Sequence, residues 1–442
     1  MKWIATAMSR PPATLITTLL AATAATALAA GPAPPSLPPA YLASPARPTA
    51  PAVAAQAATT PAPVAGAAAL PAPAYTGPMP TAPLAIPGVA APPELPQQAA
   101  YVLMDATTGA IIAEKAATSS WPPASLAKLM TAYLTYQAVA QGTLKIDQAV
   151  PISVTAWHTG GSRMFISPSM SVTVDQLLHG LIIDSGNDAA VALAQAVAGN
   201  RGSFVGLMNH QAKVLGLTGT HYTNVDGLPD PALHTTALDT AVLSRAIIQN
   251  FPQYLKISAQ KFYTFDKIRQ RSWNPVLFHD ATVDGLKTGL TKAAGHCIDA
   301  TASRGGRRLI AVVLGGPSWT VSTNDIEALL DYGYQFYMNA TVITAGRPVG
   351  TLAAPLYRVT TVPVAPAKSV AMTLPQLAAK SLKTTVALNP PPKSGVHRGQ
   401  DVGTMTVSSG GKALATVPVV ALEDDPPAGF FTRLARRIRA AL

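Results

Sequence analysis

Nineteen of the chain's 41 prolines fall between residues 31 and 98, and alanine fills most of the gaps between them. Proline fixes φ and supplies no backbone N–H, so it suits neither a helix interior nor a central strand. The same stretch holds one arginine, Arg47, and one glutamate, Glu94. A segment of this kind buries too little apolar surface to offset the entropy of ordering it. The composition predicts a disordered Pro/Ala-rich spacer over 30–97, with a reach of up to ~200 Å at ~3.1 Å per residue, and confines folding to the chain from residue 98 onward.

Ahead of the spacer, Lys2 and Arg10 precede an apolar run over 13–28 that ends in Ala27-Leu28-Ala29. A positive start, a short apolar stretch and a small-x-small site predict a signal peptide over 1–29; the run is shorter than the ~20 residues a membrane span needs. Export to an oxidising compartment is therefore expected, yet Cys297 is the chain's one cysteine, so no intramolecular disulfide staples the fold. The formal charge is +11. For an exported chain that favours an anionic membrane or wall polymer as partner and argues against nucleic acid.

"YVLMDATTGAIIAEK" alternates, turns at Thr107-Thr108-Gly109 and alternates again, which predicts a hairpin. Helical periodicity runs from Ser125 to about Ala140 and from Val174 to Asp184. It is interrupted at "SGND" and resumes in "AAVALAQAVAG". "TTALDTAVLSRAIIQN" is a further helix. Three strands follow, in "TVDGLKTG", "GHCIDATASR" and "RRLIAVVLGG", with a turn at Gly305-Gly306, and "TNDIEALLDYGYQFYM" closes the region as a helix. Hairpin, helices and strands in this order predict an α+β domain over 98–348, one antiparallel sheet packed with helices. Short β-rich runs broken by Pro and Gly predict a small all-β domain over 349–425. An amphipathic helix is expected over 426–442.

Ser125 and Lys128 stand three apart at the start of a helix, a spacing that brings both side chains to one face. A serine hydroxyl is a poor nucleophile until a base takes its proton. A lysine that is buried and crowded by a second cation loses its own proton near neutral pH and becomes such a base. The spacing alone is weak, since Ser258–Lys261 and Ser409–Lys412 repeat it. It gains meaning from two later stretches: Ser185-Gly186-Asn187, a polar break between two apolar helices, and Lys287-Thr288-Gly289 at the end of a strand. Other Ser-x-Asn and Lys-x-Gly triplets occur, but no other combination gives this order with each motif in fitting local structure.

"PASLAKLMTAY", "LIIDSGNDAAVALAQAVAG" and "VDGLKTGLT" resemble the three active-site motifs of penicillin-binding proteins. "GGSRMF", "SFVGLMNHQAKVLGLTGTHYTNVDGL", "YTFDKIRQ" and "VPVVALEDDPPAGFF" are similar to the low-molecular-mass D-alanyl-D-alanine carboxypeptidases, serine peptidases that trim the stem peptides of peptidoglycan. The resemblance spans about 98–442. It implies that Ser125 attacks the carbonyl between the terminal D-alanines, with Lys128 as base and Ser185 passing a proton to the leaving amine. It further implies that Asn187 holds the substrate's amide, that Lys287 keeps the site electropositive and depresses the proton affinity of Lys128, and that Thr288 meets the terminal carboxylate. The motif's Gly289 belongs to the same binding strand, and the N–H groups of Ser125 and Leu290 would form the oxyanion hole. Two stretches depart from the family. Ser272-Trp273-Asn274 stands where relatives commonly read Asn-Arg-Asn, and "PSWTVSTNDIE" lacks the arginine that many carry after the Gly-Gly of the last strand.

A class A β-lactamase needs a deacylating glutamate, and none lies between Glu114 and Glu327, which also excludes an H-E-x-x-H zinc site there. No metal or cofactor is expected. The reading is a serine carboxypeptidase that acts on peptidoglycan stem pentapeptides and takes β-lactams as covalent inhibitors. Two alternatives stay open: a D,D-endopeptidase that cuts cross-links, and a catalytically weak wall-binding scaffold. On a helix, Phe430, Phe431, Leu434, Ile438 and Leu442 form one stripe with Arg433, Arg436, Arg437 and Arg439 opposite. A ~20 Å helix is too short to span ~30 Å of hydrocarbon, so the tail is expected to lie on the outer face of the cytoplasmic membrane.

Overall fold

The computed structural model describes residues 89–441. The expected signal peptide, the spacer up to residue 88 and Leu442 lie outside the described residues. The last stretch of the expected spacer is held against the folded body: the carbonyl of Ala90 accepts from the Tyr332 hydroxyl at 2.8 Å, and Lys115 Nζ donates to the carbonyls of Leu95 and Gln98. Leu95 is buried. Val89 and Leu95 pack against the apolar core alongside these hydrogen bonds, so the ordered chain begins before residue 98.

The expected hairpin forms from β1 (Ala100–Asp105) and β2 (Ile111–Lys115). A 3-10 turn over Ala124–Ala127 leads into α1 (Lys128–Ala140). Then come α2 (Val174–Ile182), α3 (Asn187–Ala198), α4 (Arg201–Val214) and α5 (Ala237–Asn250). Thr173 caps α2 through a reciprocal pair with Gln176, and Asn200 and Thr236 cap α4 and α5 with their side chains. Next are β3 (Val283–Thr291), β4 (Gly295–Arg304), β5 (Arg307–Gly316) and α6 (Trp319–Phe336). The five strands form one antiparallel sheet in the order β2-β1-β5-β4-β3.

Both faces of that sheet are covered, which explains why its central strands read as continuous apolar runs. In β1, Ala100, Val102 and Met104 face the core shared with α1, α3 and α5, while Tyr101 and Leu103 face Ile326, Leu329 and Leu330 of α6. β5 alternates the same way: Ile310, Val312 and Leu314 point one way, Leu309, Ala311 and Val313 the other. Fully burying one such side chain contributes roughly 1.5–3 kcal/mol before entropy is counted. The expected antiparallel sheet packed with helices is thus the fold.

The passage into the all-β region also differs from the sequence expectation. The last helix stops at Phe336, and Tyr337–Ile343 is a strand, β6. Neither Tyr337 nor Met338 continues the helix, because this stretch pairs along its length with a later strand. The all-β region therefore starts near Tyr337. It continues as β7 (Gly350–Ala353), β8 (Thr361–Pro366), β9 (Val370–Pro375), β10 (Lys383–Leu388), β11 (Asp401–Ser409) and β12 (Lys412–Ala421). β6 pairs with β9, and the other five form a sheet ordered β7-β8-β12-β11-β10 around its own core of Leu352, Val362, Val364, Val407, Val417 and Val419. The chain ends in α7 (Phe430–Ala441).

Candidate active site

Ser125 does not sit inside a helix. It lies in the 3-10 turn, one residue after Ala124, whose φ of 47° is in the left-handed region. The next turn of chain puts Lys128 at the first residue of α1. Lys128 Nζ donates to Ser125 Oγ at 2.8 Å and to the carbonyl of Asp226 at 2.7 Å. Its side chain is 1% exposed. Burial lowers its pKa from 10.5 to about 8, against the opposing pull of Asp226 and Asp188.

Three glycines clear the ground around the turn. Gly227 has φ +86°, and a Cβ there would lie 1.8 Å from the carbonyl oxygen of Ala124. A Cβ on Gly289 of β3 would lie 2.9 Å from the Pro123 carbonyl oxygen and 3.2 Å from Ser125 N. The edge strand thus runs directly against the turn that carries Ser125, and its next residue, Leu290, is 46% exposed at the opening. On the far side, a Cβ on Gly161 would meet Asn187 Nδ2 at 2.5 Å.

The break between α2 and α3 brings in the second motif. Ser185 has φ 58°, a conformation that costs a non-glycine residue about 1–3 kcal/mol. Three contacts fix it: Ser162 Oγ donates to the Ser185 carbonyl at 2.6 Å, Gly186 N donates to the Gly180 carbonyl at 2.9 Å, and Lys287 Nζ donates to Ser185 Oγ at 2.9 Å. Asn187 opens α3. Its amide nitrogen donates to the Gly160 carbonyl at 2.6 Å, which leaves its carbonyl oxygen, Oδ1, buried without a partner. That is an acceptor suited to a substrate N–H.

Lys287 and Thr288 are both buried on β3. Lys287 Nζ also donates to the Thr288 carbonyl at 2.9 Å. Burial, then the Lys128 ammonium, holds Lys287 well below the ordinary lysine value. The Lys128 charge thus disfavours a second charge on Lys287. The three motifs therefore meet as two hydrogen-bonded pairs, Ser125–Lys128 and Ser185–Lys287, joined electrostatically through their lysines. A hydroxyl facing an amine that gives up its proton near pH 8, beside a second lysine, can carry out acyl transfer. Among the described residues no group of His, Cys, Asp and Glu is arranged to hold a metal.

Several supporting residues were not legible as such. The Asp226 carbonyl steadies Lys128 through the "NVDGL" loop, in which Asn224 Oδ1 accepts from Gly227 N at 2.7 Å. Asp188, fully buried, accepts from the N–H groups of Met164, Phe165 and Ile166 and so ties the "GGSRMF" loop to α3. The Ser272-Trp273-Asn274 departure has a structural use. The Trp273 indole donates to the Asp184 carbonyl at 3.1 Å, and Asn274 Nδ2 to the Gly285 carbonyl at 3.1 Å. One short stretch thereby buttresses both the Ser185 break and β3.

A helix-flanked antiparallel sheet with a serine–lysine pair under its edge strand defines a class, the acyl-transfer folds that work without histidine. Comparison with known proteins narrows it. Residues 89–318 match the family model described as D-alanyl-D-alanine carboxypeptidase, peptidase S11, and 337–427 match that of the penicillin-binding protein 5 C-terminal domain. The chain is 38% identical over 343 residues to D-alanyl-D-alanine carboxypeptidase DacC of Escherichia coli K12, covering 76% of this chain and 86% of the relative. Penicillin binding protein 5 from Haemophilus influenzae superposes with a TM-score of 0.69 at 31% identity, covering 76% of this chain and 99% of that one. Penicillin-Binding Protein D2 from Listeria monocytogenes, solved in its cefotaxime-bound form, has a TM-score of 0.51 at 31% identity and covers 55% of this chain and all of that one, at 100%. The chain belongs to the D-alanyl-D-alanine carboxypeptidase family, and the expected hydrolase activity is that family's.

Proposed function

We propose that this chain removes the terminal D-alanine from peptidoglycan stem pentapeptides through an acyl-enzyme on Ser125. The 2.8 Å contact between Ser125 Oγ and the buried Lys128 Nζ carries the reading. In its neutral form Lys128 takes the hydroxyl proton as Oγ bonds to the carbonyl carbon between the two D-alanines. The oxyanion is met by the N–H groups of Ser125 and Leu290. Lys128 returns that proton through the hydroxyl of Ser185, which Lys287 holds by a hydrogen bond, to the departing amine; the C–N bond breaks, D-alanine leaves, and Lys128 is neutral again. Water then adds to the ester as neutral Lys128 takes its proton, and Lys128 hands that proton to Oγ as the ester C–O bond breaks, which restores the enzyme. Asn187 Oδ1 orients the substrate's amide, while Thr288 and Lys287 face its carboxylate. A β-lactam carbonyl enters the same first step and stays bound on Ser125.

Incubation with penicillin and mapping of the adduct by mass spectrometry tests the nucleophile. The adduct is expected on Ser125; an adduct on Ser185, or none at saturating drug, overturns the assignment. Release of D-alanine from a defined pentapeptide, compared with its C-terminal amide, tests the specificity. Equal cleavage of both would favour cross-link endopeptidase action.

The same reading extends to location. Residues 1–29 direct export, the Pro/Ala-rich stretch over 30–97 serves as a spacer, the β region acts as a stem, and α7 holds the protein on the outer face of the cytoplasmic membrane. Supporting this, Phe430 and Phe431 are 66% and 82% exposed on one stripe of α7 with Leu434 and Ile438. No helix among the described residues is long and apolar enough to cross a membrane. Deleting 429–442 should move active protein into the soluble fraction; sedimentation with membranes after the deletion would assign the anchor elsewhere.

A further inference from the structure

At the junction of α7 and the all-β region lies a cavity of about 180 Å³. Pro355, Tyr357 and Pro392 wall it, and three cations open onto it: Lys393, Arg433 and Arg437. No carboxylate lines it. Asp425, close enough to act on Tyr357, is already taken, accepting the Val359 N–H with both oxygens. Among the described residues none of the three cations makes an ion pair, and Arg433 Nε is buried without any hydrogen-bond partner.

The cavity is held by a neighbouring arginine. Arg436 Nη1 donates to the carbonyls of Pro355 and Tyr357, at 3.1 Å and 2.6 Å. That clamp fixes the rotation of α7 about its axis. Arg433 and Arg437, one helical turn apart, are thereby turned toward the cavity, while Phe430, Phe431, Leu434 and Ile438 are left exposed. A helix lying on a bilayer sinks its apolar stripe into the acyl boundary, which brings the headgroup level to its flank. A guanidinium fork without partners, beside two more cations and no acid, matches a phosphate: it offers parallel N–H donors to two oxygens of one anion.

We propose that this cavity is a headgroup site that binds the phosphate of an anionic phospholipid in the membrane under α7. The proposal rests on the anchoring role of α7 proposed above. The lipid supplies the anion; Arg433 provides the geometric recognition, and Arg437 and Lys393 add charge. Anchoring is then selective for acidic lipid at one defined point.

The test uses the exported full chain and sedimentation with vesicles of phosphatidylcholine, alone or with phosphatidylglycerol. Wild type is expected to bind the mixed vesicles more tightly. Arg433→Gln should lower that binding about tenfold or more, with Arg437→Gln and Lys393→Gln falling in the same direction. Arg439→Gln, which removes an equal charge outside the cavity, should lower it about fivefold or less, as diffuse attraction predicts. Equal losses for Arg433→Gln and Arg439→Gln overturn the headgroup site and leave the anchor standing. Failure of wild type to bind either vesicle overturns the anchor, and the site with it. Inorganic phosphate titrated onto the free protein, against chloride at matched ionic strength, distinguishes the source: phosphate binding far weaker than vesicle binding supports a lipid site, and phosphate binding as tight as that to mixed vesicles and lost in Arg433→Gln overturns it in favour of a soluble anion.

Discussion

The lysines of the active site and the arginines of α7 are both cation clusters, and they are treated in opposite ways. Lys128 and Lys287 are 1% and 2% exposed, tied to hydroxyls and carbonyls, and held below the ordinary lysine value by burial, with the Lys128 charge adding to the effect on Lys287. Arg437 and Arg439 stand in solvent, where a guanidinium keeps its charge under all ordinary conditions. Burial turns a cation into a base; exposure keeps it a cation. The residue types follow this division, because only the ammonium group releases a proton within a useful range.

Breaking the buried cluster should have the largest effect. Lys128→Ala is expected to slow acylation by penicillin ~10²–10⁴-fold, measured by stopped-flow, with near-ultraviolet circular dichroism unchanged. Arg439→Ala should leave the same rate within about twofold. A wild-type rate in Lys128→Ala would show that another group takes the proton.

Next in size is a buried group outside the proposed chemistry. Asp299 lies opposite Lys287 on β4, fully buried, with Ser244 Oγ at 2.5 Å from Oδ2 and Oδ1 unpartnered. Burial raises its pKa from 3.8 to about 8. The folded chain keeps this proton at pH values where the unfolded chain has lost it. The stability it contributes is full below about pH 4 and is lost as pH rises through about 8, a swing on the order of a few kcal/mol. Asp299→Asn should therefore melt higher than wild type at pH 9 and show a flatter dependence of Tm on pH. Parallel curves for the two proteins would show that Asp299 is ionised in the fold.

Gly227→Ala probes the packing that aims Ser125. The added methyl must displace the Ala124 carbonyl, and φ +86° strains any side chain. Acylation is expected to fall about 10–100-fold, since a displacement of ~1 Å costs this much. An unaltered rate would mean that the turn tolerates movement. The smallest effect belongs to the exposed cluster: removing 430–442 should leave cleavage of a soluble pentapeptide within about twofold, because the contacts of Arg436 tie α7 to the all-β region. A large loss would tie α7 to catalysis and break the division between the two clusters.

What the sequence determined was order and type. Period-2 and period-3.6 patterns placed the hairpin, the three later strands and most helices, because those patterns are set by which faces must be buried. The spacing of Ser125 and Lys128 foretold their contact, since three residues of helical chain leave few other arrangements. Tertiary structure decided the rest. The helix α4 carries a mixed surface with only Phe204, Met208, Gln211 and Ala212 buried, too weak a stripe to announce itself. The α6–β6 boundary depends on a strand partner more than thirty residues away in sequence. The meeting of Ser185 with Lys287 spans 102 residues. The second hydrogen bond that steadies Lys128 comes from the carbonyl of Asp226, a backbone atom that every residue type possesses. Side-chain identity cannot encode such a contact; only the path of the folded chain brings that carbonyl to the lysine.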